Sequence, residues 1–574
     1  MPRRTCAKRV LAPQEQTRAD HPAGFYPGAR PLPSKRLCPG PHALHHRDVS
    51  ERARKSLRKW LLVAVFGVGL PALLAALAVH FGAPRLQDAA NRRAQNYLRL
   101  YFKSSVQFSS VHMVLFPRVQ VVVEGLVLRH ENRTDIPPLI EIRKMTVDAG
   151  LLALLGKRHE ISRVRLEGLQ IHTPPRTHGA PRMIHGSTTD FREKYPLVID
   201  EIDADDALLV LLRKPSDAGK PLKEFAIHRL VMNGFSFDHP AAFHAILTNP
   251  KPRGEIRCDG QFGPWQADQP SETPVSANYA FNDADLGTVK GITGILSSIG
   301  HFAGPLNYLT VEGETDTPDF ALRTSAHPMA LHTDFKAVVD GTNGNTVLTS
   351  VIAKFLHTTL VTHGAVVDVY SGVTGRTIAL DAVSTDARIE DLLSLAVKAD
   401  KPAMIGGAKL TAKIVIPEGD EDLIQRLQLD GQFGLARVHF TNSGVQAKID
   451  SLSRRGQGKP KDVDLTNELS NLQGRFRMTK AQVLFSNLTF DVEGASVALN
   501  GVYDIDGGQL DFRGKLRMEA RLSQTITGWK SVMLKPFDHF FEGPGGGAQI
   551  PIKITGTRED PSFASDFHDP LNKK

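Results

Sequence analysis

From residue 104 onward the apolar positions recur mostly every second residue. Val119, Val121 and Val123 alternate with other side chains, as do Leu410, Ala412, Ile414 and Ile416, then Leu510 and Phe512, then Ile550, Ile552 and Ile554. A period of two predicts strands with one buried face. Asp340-Gly341, Asn343-Gly344 and Asp506-Gly507-Gly508 interrupt the runs and predict tight hairpin turns. The body therefore reads as mainly β, dominated by antiparallel strands. Spacings of three and four predict helical inserts: Leu286, Val289, Ile292, Leu296 and Ile299; Ile389, Leu392, Leu393 and Ala396, with Thr385 and Asp386 as cap candidates; Val445, Ile449 and Leu452; and Leu522, Ile526, Trp529 and Met533, closed by Pro536. Leu151–Leu155 reads as a short apolar turn.

Upstream the pattern changes twice. Leu86, Ala90, Ala94, Tyr97 and Tyr101 predict an amphipathic helix over 84–103. Before it, Trp60 to Phe81 contains no Asp, Glu, Lys or Arg. That run, with Leu61, Leu62, Leu73 and Leu74, is long enough to span a bilayer, and predicts a transmembrane anchor over 59–82. Arg52, Arg54, Lys55, Arg58 and Lys59 precede it and place the N-terminus in the cytoplasm. A cleaved signal peptide fits less well, because the run and its leading segment are too long and no A-x-A site follows. Residues 1–58 carry eight prolines and few apolar residues, and read as a disordered basic tail. That tail lies on anionic headgroups or serves only as a topology signal.

Charge then changes little. The net +9 is confined to residues 1–59, which hold 14 Lys/Arg and 4 Asp/Glu; the rest has 56 basic and 57 acidic residues. A neutral body gives no reason to expect nucleic acid as a partner. Three cysteines exclude a disulfide scaffold, and only Cys258 lies beyond the anchor. No H-E-x-x-H, G-x-S-x-G or Walker A pattern occurs, so neither enzyme chemistry nor a metal or cofactor is expected. Asp203, Asp205 and Asp206 lack the rest of a calcium loop and read as a solvated turn. The glycine-rich stretch 543–547 reads as a flexible loop. Arg454-Arg455 with Lys459 and Lys461 is a solvated helix end or a phospholipid headgroup contact.

The chain also repeats itself. Asp259-Gly260-Gln261-Phe262-Gly263 recurs as Asp430-Gly431-Gln432-Phe433-Gly434. Gly313, Pro318 and Phe320 recur in spacing as Gly556, Pro561 and Phe563, with Gly and Pro expected to form a turn. Together these favour a duplication, and repeats that bury each other's faces build elongated sheets.

Phe440-Thr441-Asn442, the run Gln446 to Gly458, Leu488 to Gly494, Gly501-Val-Tyr503-Asp504, Leu522 to Thr525, Gly528 to Ser531 and Pro551 to Thr557 resemble, in order, the C-terminal region of AsmA-like envelope proteins. The anchor, the amphipathic helix and the strand-rich run to Leu169 resemble the family more loosely; the 58-residue tail departs from it. The resemblance implies an inner-membrane, single-pass protein with a large periplasmic part. It implies an elongated, strongly curved antiparallel β-sheet groove of two related repeats, similar to bridge-like lipid-transfer proteins. The segments are then 104–325 and 326–430 of the groove, 431–567 as the AsmA-like region, and a tail over 568–574. Phospholipid acyl chains are the implied ligand, passed between inner and outer membrane, with an outer-membrane or periplasmic protein as a further partner. Val121, Val123, Ile414, Ile416, Leu510, Phe512, Ile552 and Ile554 are the expected lining. Roughly 26 strands at ~4.8 Å give a groove of about 125 Å. Two other classes remain: an assembly factor that pairs incoming outer-membrane proteins with its sheet edges, and a passive envelope scaffold.

Overall fold

The computed structural model describes residues 105–114, 119–129, 134, 137–150, 159–173, 197–212, 223–266, 268–325, 327–370, 373–399, 401–462, 469–527, 529–543, 546–558 and 560–565, together with Arg92. All belong to the second of two compact units, Ala83–Lys574. The expected tail, the anchor Trp60–Phe81, the turn 151–155 and all of the helix 84–103 but Arg92 lie outside the described residues. Among the described residues no helix is long and apolar enough to cross a membrane.

These residues form one long, open, curved sheet of 25 strands, against about 26 expected. β1 (Ser105–Gln107) and β2 (Ser110–Val114) lie end to end along β3 (Val119–Arg129), followed by β4 (Ile140–Ala149) and β5 (His159–Thr173). β6 (Leu197–Leu211) then pairs with β5 in parallel. The sheet is thus mixed, which corrects the all-antiparallel expectation. Parallel neighbours need a connection of a dozen residues or more, and residues 174–196 supply it.

Every later pairing is antiparallel. β7 (Lys223–Ser236), β8 (Ala241–Pro250), β9 (Arg253–Phe262) and β10 (Pro274–Asp285) meander to β11 (Ile292–Thr293), β12 (Ile295–Pro305) and β13 (Leu309–Leu322). β14 (Met329–Val339), β15 (Thr346–Phe355), β16 (Thr358–Tyr370), β17 (Val373–Arg388), β18 (Met404–Ile416) and β19 (Gln428–Phe440) continue it. β20 (Ser470–Thr479), β21 (Gln482–Val492), β22 (Ala495–Asp504), β23 (Gln509–Met518), β24 (Ala548–Thr557) and β25 (Pro561–Ser565) complete it. β1 and β2 share one rank beside β3, and β11 and β12 share one beside β13. The remaining 23 ranks give a path of about 105 Å along the sheet.

Among the described residues the α-helices of defined extent are few and short: α1 (Ile389–Ala396), α2 (Leu423–Arg426), α3 (Ser443–Gly456) and α4 (Trp529–Leu534). α1 and α3 fall on expected stripes, although Thr385 and Asp386 lie in β17 and Arg388 takes the N-cap position. The stripe from Leu286 to Ile299 is not a helix. It forms a 3-10 turn at Leu286–Thr288 and then β11 and β12. Gly287, Gly291, Gly294 and Gly300 each cost a helix about 1 kcal/mol, and β10 and β13 offer ladders on both sides instead. The stripe from Leu522 is broken by extended, β-branched Ile526, and Pro536 opens a 3-10 turn, Lys535–Phe541, rather than closing a helix. Asp203, Asp205 and Asp206 lie inside β6, not in a turn.

β-bulges punctuate the ladders. Register shifts fall at Phe281/Ala284, Leu435/Val438 and Phe485/Leu488, where Asp283, Arg437 and Asn487 take positive φ. Each bulge bends its strand and increases local twist. The freed amides are held by the neighbouring strand: Arg437 N donates to Asn471 Oδ1 at 3.1 Å, and Asn487 N to Asn500 Oδ1 at 3.0 Å. The Gly313–Phe320 pattern is likewise a bulge within β13. Pro318 sits where pairing skips from Thr317 to Phe320, and Asp319 Oδ1 accepts from Ile295 N at 2.8 Å. Its expected counterpart does form a turn, between Gly556 and Pro561.

Candidate functional site

Cross-strand partners in a ladder point to the same face, so register traces that face through the whole sheet. One row runs Val121, Val147, Val164, Ile202, Met232, Phe243, Gly260 and Ala277. It continues through Phe302, Val311, Ala337, Leu348, Gly364, Leu380, Ile414 and Leu429. It ends with Met478, Val483, Tyr503, Leu510, Gly556 and Pro561. No charged residue interrupts it from β3 to β25.

The other face carries the charge. Lys144 meets Glu167 at 3.3 Å, Arg163 meets Glu201 at 2.8 Å, Lys336 meets Glu312 at 2.8 Å and Arg477 meets Asp430 at 2.8 Å, all across strands. In β23 the alternation is complete: Asp511, Arg513, Lys515 and Arg517 are exposed, while Leu510, Phe512, Leu516 and Met518 are buried or half-buried.

The sheet bends toward its apolar face. Strands two apart stand ~9.6 Å from each other in a flat sheet. Yet the rings of Phe433 on β19 and Phe485 on β21 lie 6.2 Å apart, and those of Phe485 and Phe512 on β23 lie 5.8 Å apart. The large apolar side chains therefore converge, and Leu410, Ile414, Phe433 and Phe485 remain only half-buried.

Two helices sit on this face. α1 is tied down by its own acids: Asp391 accepts from His357 N at 2.8 Å and Thr358 Oγ at 2.9 Å, and Glu390 from Gly406 N at 3.0 Å. Its Ile389 and Leu392 roof a cavity of about 270 Å³ floored by Met404, Leu410, Phe433 and Phe485. α3 begins at Asn442, whose side chain accepts from Gly444 N and Val445 N at 2.9 and 3.1 Å. Ile449 then packs against Val492, Ala495, Met518 and Ala548, and Lys448 stands 4.9 Å from the Phe563 ring. Buried Ser453 donates to the Glu493 carbonyl at 3.0 Å. Residues quoted above for the family resemblance thus form a helix sewn to the sheet.

The Asp-Gly pair of the duplicated pentapeptide sits alike in both copies, although Gly263 leaves β9 at positive φ while Gly434 stays within β19. Asp259 meets His244 at 2.7 Å on the charged face, as Asp430 meets Arg477. Gly260 stands opposite Phe243 and Gly431 opposite Phe476 on the apolar face. A Cβ would lie 2.0 Å from the Ser276 carbonyl oxygen at Gly260, and 2.8 Å from the Phe476 ring at Gly431.

All eight expected lining residues fall on the apolar face. Val121 and Val123 lie on β3, and Ile414 and Ile416 on β18; Leu510, Phe512, Ile552 and Ile554 share one cluster with Leu488 and Leu499. Phe512 is only 8% exposed and belongs to the core, with one side bordering the cavity under α1. Phe485 was not named from sequence; Leu410, Phe433, Ile389 and Leu392 were named as strand, repeat and helix residues but not as lining.

Ser470, buried opposite Val438 on the apolar face, leaves its Oγ without a partner among the described residues, but the Tyr279 hydroxyl is satisfied. Tyr279 OH lies 3.1 Å from Ser298 Oγ, which donates to the Glu314 carbonyl; burial raises the tyrosine pKa. Burial, aided by the Asp259 carboxylate, pushes the Cys258 thiol up from 9.0 to about 11. Its thiolate fraction near neutral pH is then about a hundredfold below that of an ordinary thiol. In a Cys6→Ser, Cys38→Ser background, Cys258 is expected to alkylate at least that much more slowly in the native protein than in urea. Equal rates in the two states would contradict its buried placement.

On the charged face Glu314, His332 and Asp334 bring ligand-type atoms within 4.8 Å. Asp316 already holds His332 Nδ1 at 2.7 Å, raising the imidazole pKa, and Lys354 holds Asp334 at 3.2 Å. A cation would have to displace Lys354. These residues come from neighbouring strands, so no local sequence spacing announces them. No protein-family pattern and no curated protein matches this sequence.

Proposed function

We propose that the apolar face is a groove for phospholipid acyl chains, and that the protein passes them between inner and outer membrane as an AsmA-like envelope protein. The uncharged row from Val121 to Pro561 is the observation that carries this reading. A hydrocarbon chain needs continuous apolar contact and no chemistry along its path. Each CH₂ removed from water contributes about 0.8 kcal/mol. On a uniform row, a moving chain regains ahead of it the apolar surface it leaves behind, so net movement is set by supply and removal at the ends. In this reading Trp60–Phe81 anchors the protein, and no nucleic acid, metal or cofactor takes part.

Edge pairing has less support. The β25 edge is five residues long and begins with proline, a form that discourages strand addition.

The test is lipid analysis of full-length protein, purified in a lipid-free detergent and exchanged into nanodiscs of a lipid absent from the host. Host phospholipid retained by the protein is the expected result. Well-folded protein carrying none would sink the groove reading.

A further inference from the structure

A second feature lies between β23 and β24, at the opposite end of the sheet from β1. There α4 and the turn Lys535–Phe541 expose large apolar side chains: Val532 at 64%, Met533 at 60% and Phe540 at 79%. Such clustering marks an interaction surface. Exposed lysines flank these side chains, while the exposed acids Glu519 and Glu542 stand near the two ends of the connection. Lys530, Lys535 and His539 are exposed, and among the described residues neither lysine forms an ion pair. The acid of this segment, Asp538, is turned inward, accepting from Ser523 N at 2.8 Å and Ser523 Oγ at 2.7 Å.

The basic end of α3 meets the start of the same connection. Gly456 O accepts from Ala520 N at 2.8 Å, and Gly458 packs against Ala520. Arg455, Lys459 and Lys461 are exposed there. The cationic end of α3 is thus tied to the connection that carries the exposed aliphatic and aromatic side chains.

We propose that this rim docks on the surface of an anionic phospholipid bilayer. Val532, Met533 and Phe540 insert at the headgroup–acyl boundary, and Lys530, Lys535 and the α3 end hold anionic headgroups. A folded surface that turns Asp538 inward and presents lysines and a basic helix end near apolar side chains matches that partner in both charge and polarity. The docking does not require lipid in the groove, so the two readings fail separately.

Full-length protein in phosphatidylcholine nanodiscs is mixed with phosphatidylglycerol-containing vesicles and floated on a density gradient. Wild-type protein is expected to float with the vesicles. Val532→Asp/Met533→Asp/Phe540→Asp is expected to stay at the bottom. Lys530→Gln/Lys535→Gln, which disturbs no packing, is expected to bind about thirtyfold more weakly. Absence of wild-type flotation, or wild-type flotation by the triple variant, overturns the proposal. Equal binding to phosphatidylcholine vesicles overturns the anionic assignment, and capture of an envelope protein without vesicle binding overturns it in favour of a protein partner. Lipid content measured on the same samples reports separately on the groove.

Discussion

Ile414→Asp is expected to empty the groove of phospholipid while the protein stays folded. Ile414 is half-buried, midway along the apolar row between Leu380 and Leu429. A carboxylate there can reach water through the open side, so the cost to folding is about 2 kcal/mol, within what a stable sheet absorbs. A passing acyl chain has no such escape. It must cover the carboxylate and strip its water, which costs several kcal/mol. Retained phospholipid, read by mass spectrometry, is expected to fall about tenfold or more, with an unchanged circular dichroism spectrum. The control lies on the same strand: Thr411→Asp faces the charged side and is expected to retain wild-type lipid. Full retention in folded Ile414→Asp protein would refute a lipid path along this row.

Phe512→Asp is expected to do something different, although both residues look alike in sequence. Phe512 packs among Leu488, Val497 and Leu499 and against the Phe485 ring. Removing the ring costs about 3–5 kcal/mol, and burying a carboxylate in its place adds to that. The C-terminal ranks from β19 to β24 are then expected to open, giving fast hydrogen exchange across Gln428–Thr557 and an early urea transition. Phe512→Leu, which keeps most of the volume, is expected to cost about 1 kcal/mol. Wild-type exchange rates in Phe512→Asp would mean that the ring is not core.

The contrast shows what alternation can and cannot reveal. A period of two identifies strands and sorts side chains into two faces, because the pleat enforces it. Hence β3, β18, β23 and β24, and the shared face of all eight chosen residues, were legible. Depth within a face was not, because it depends on curvature, and curvature comes from bulges at Asp283, Arg437 and Asn487. A bulge costs one unpaired residue, and its side-chain clamp stands on another strand. The parallel β5–β6 pair was hidden for a related reason: strand direction is a property of the connection, not of the strand. The stripe at Leu286–Ile299 misled because apolar residues three and four apart also occur in glycine-broken strands, where two flanking ladders outweigh local propensity. The cluster of Glu314, His332 and Asp334 exists only through register.

Almost every strand pairs with its sequence neighbour, and this gives the protein an unusual mechanical character. Contacts are local in the chain, so assembly can spread rank by rank from any starting hairpin, like a zipper with many possible starts. Loop-closure entropy is small at each step except three: 441–469 and 519–547, which hold helices packed on the sheet, and the parallel seam of β5 and β6, which must close residues 174–196. That seam divides the sheet into a short leading section and a long trailing one that can form independently. Heat should therefore melt the molecule in sections rather than at one temperature, and a fault in one section should stay there instead of unravelling the whole.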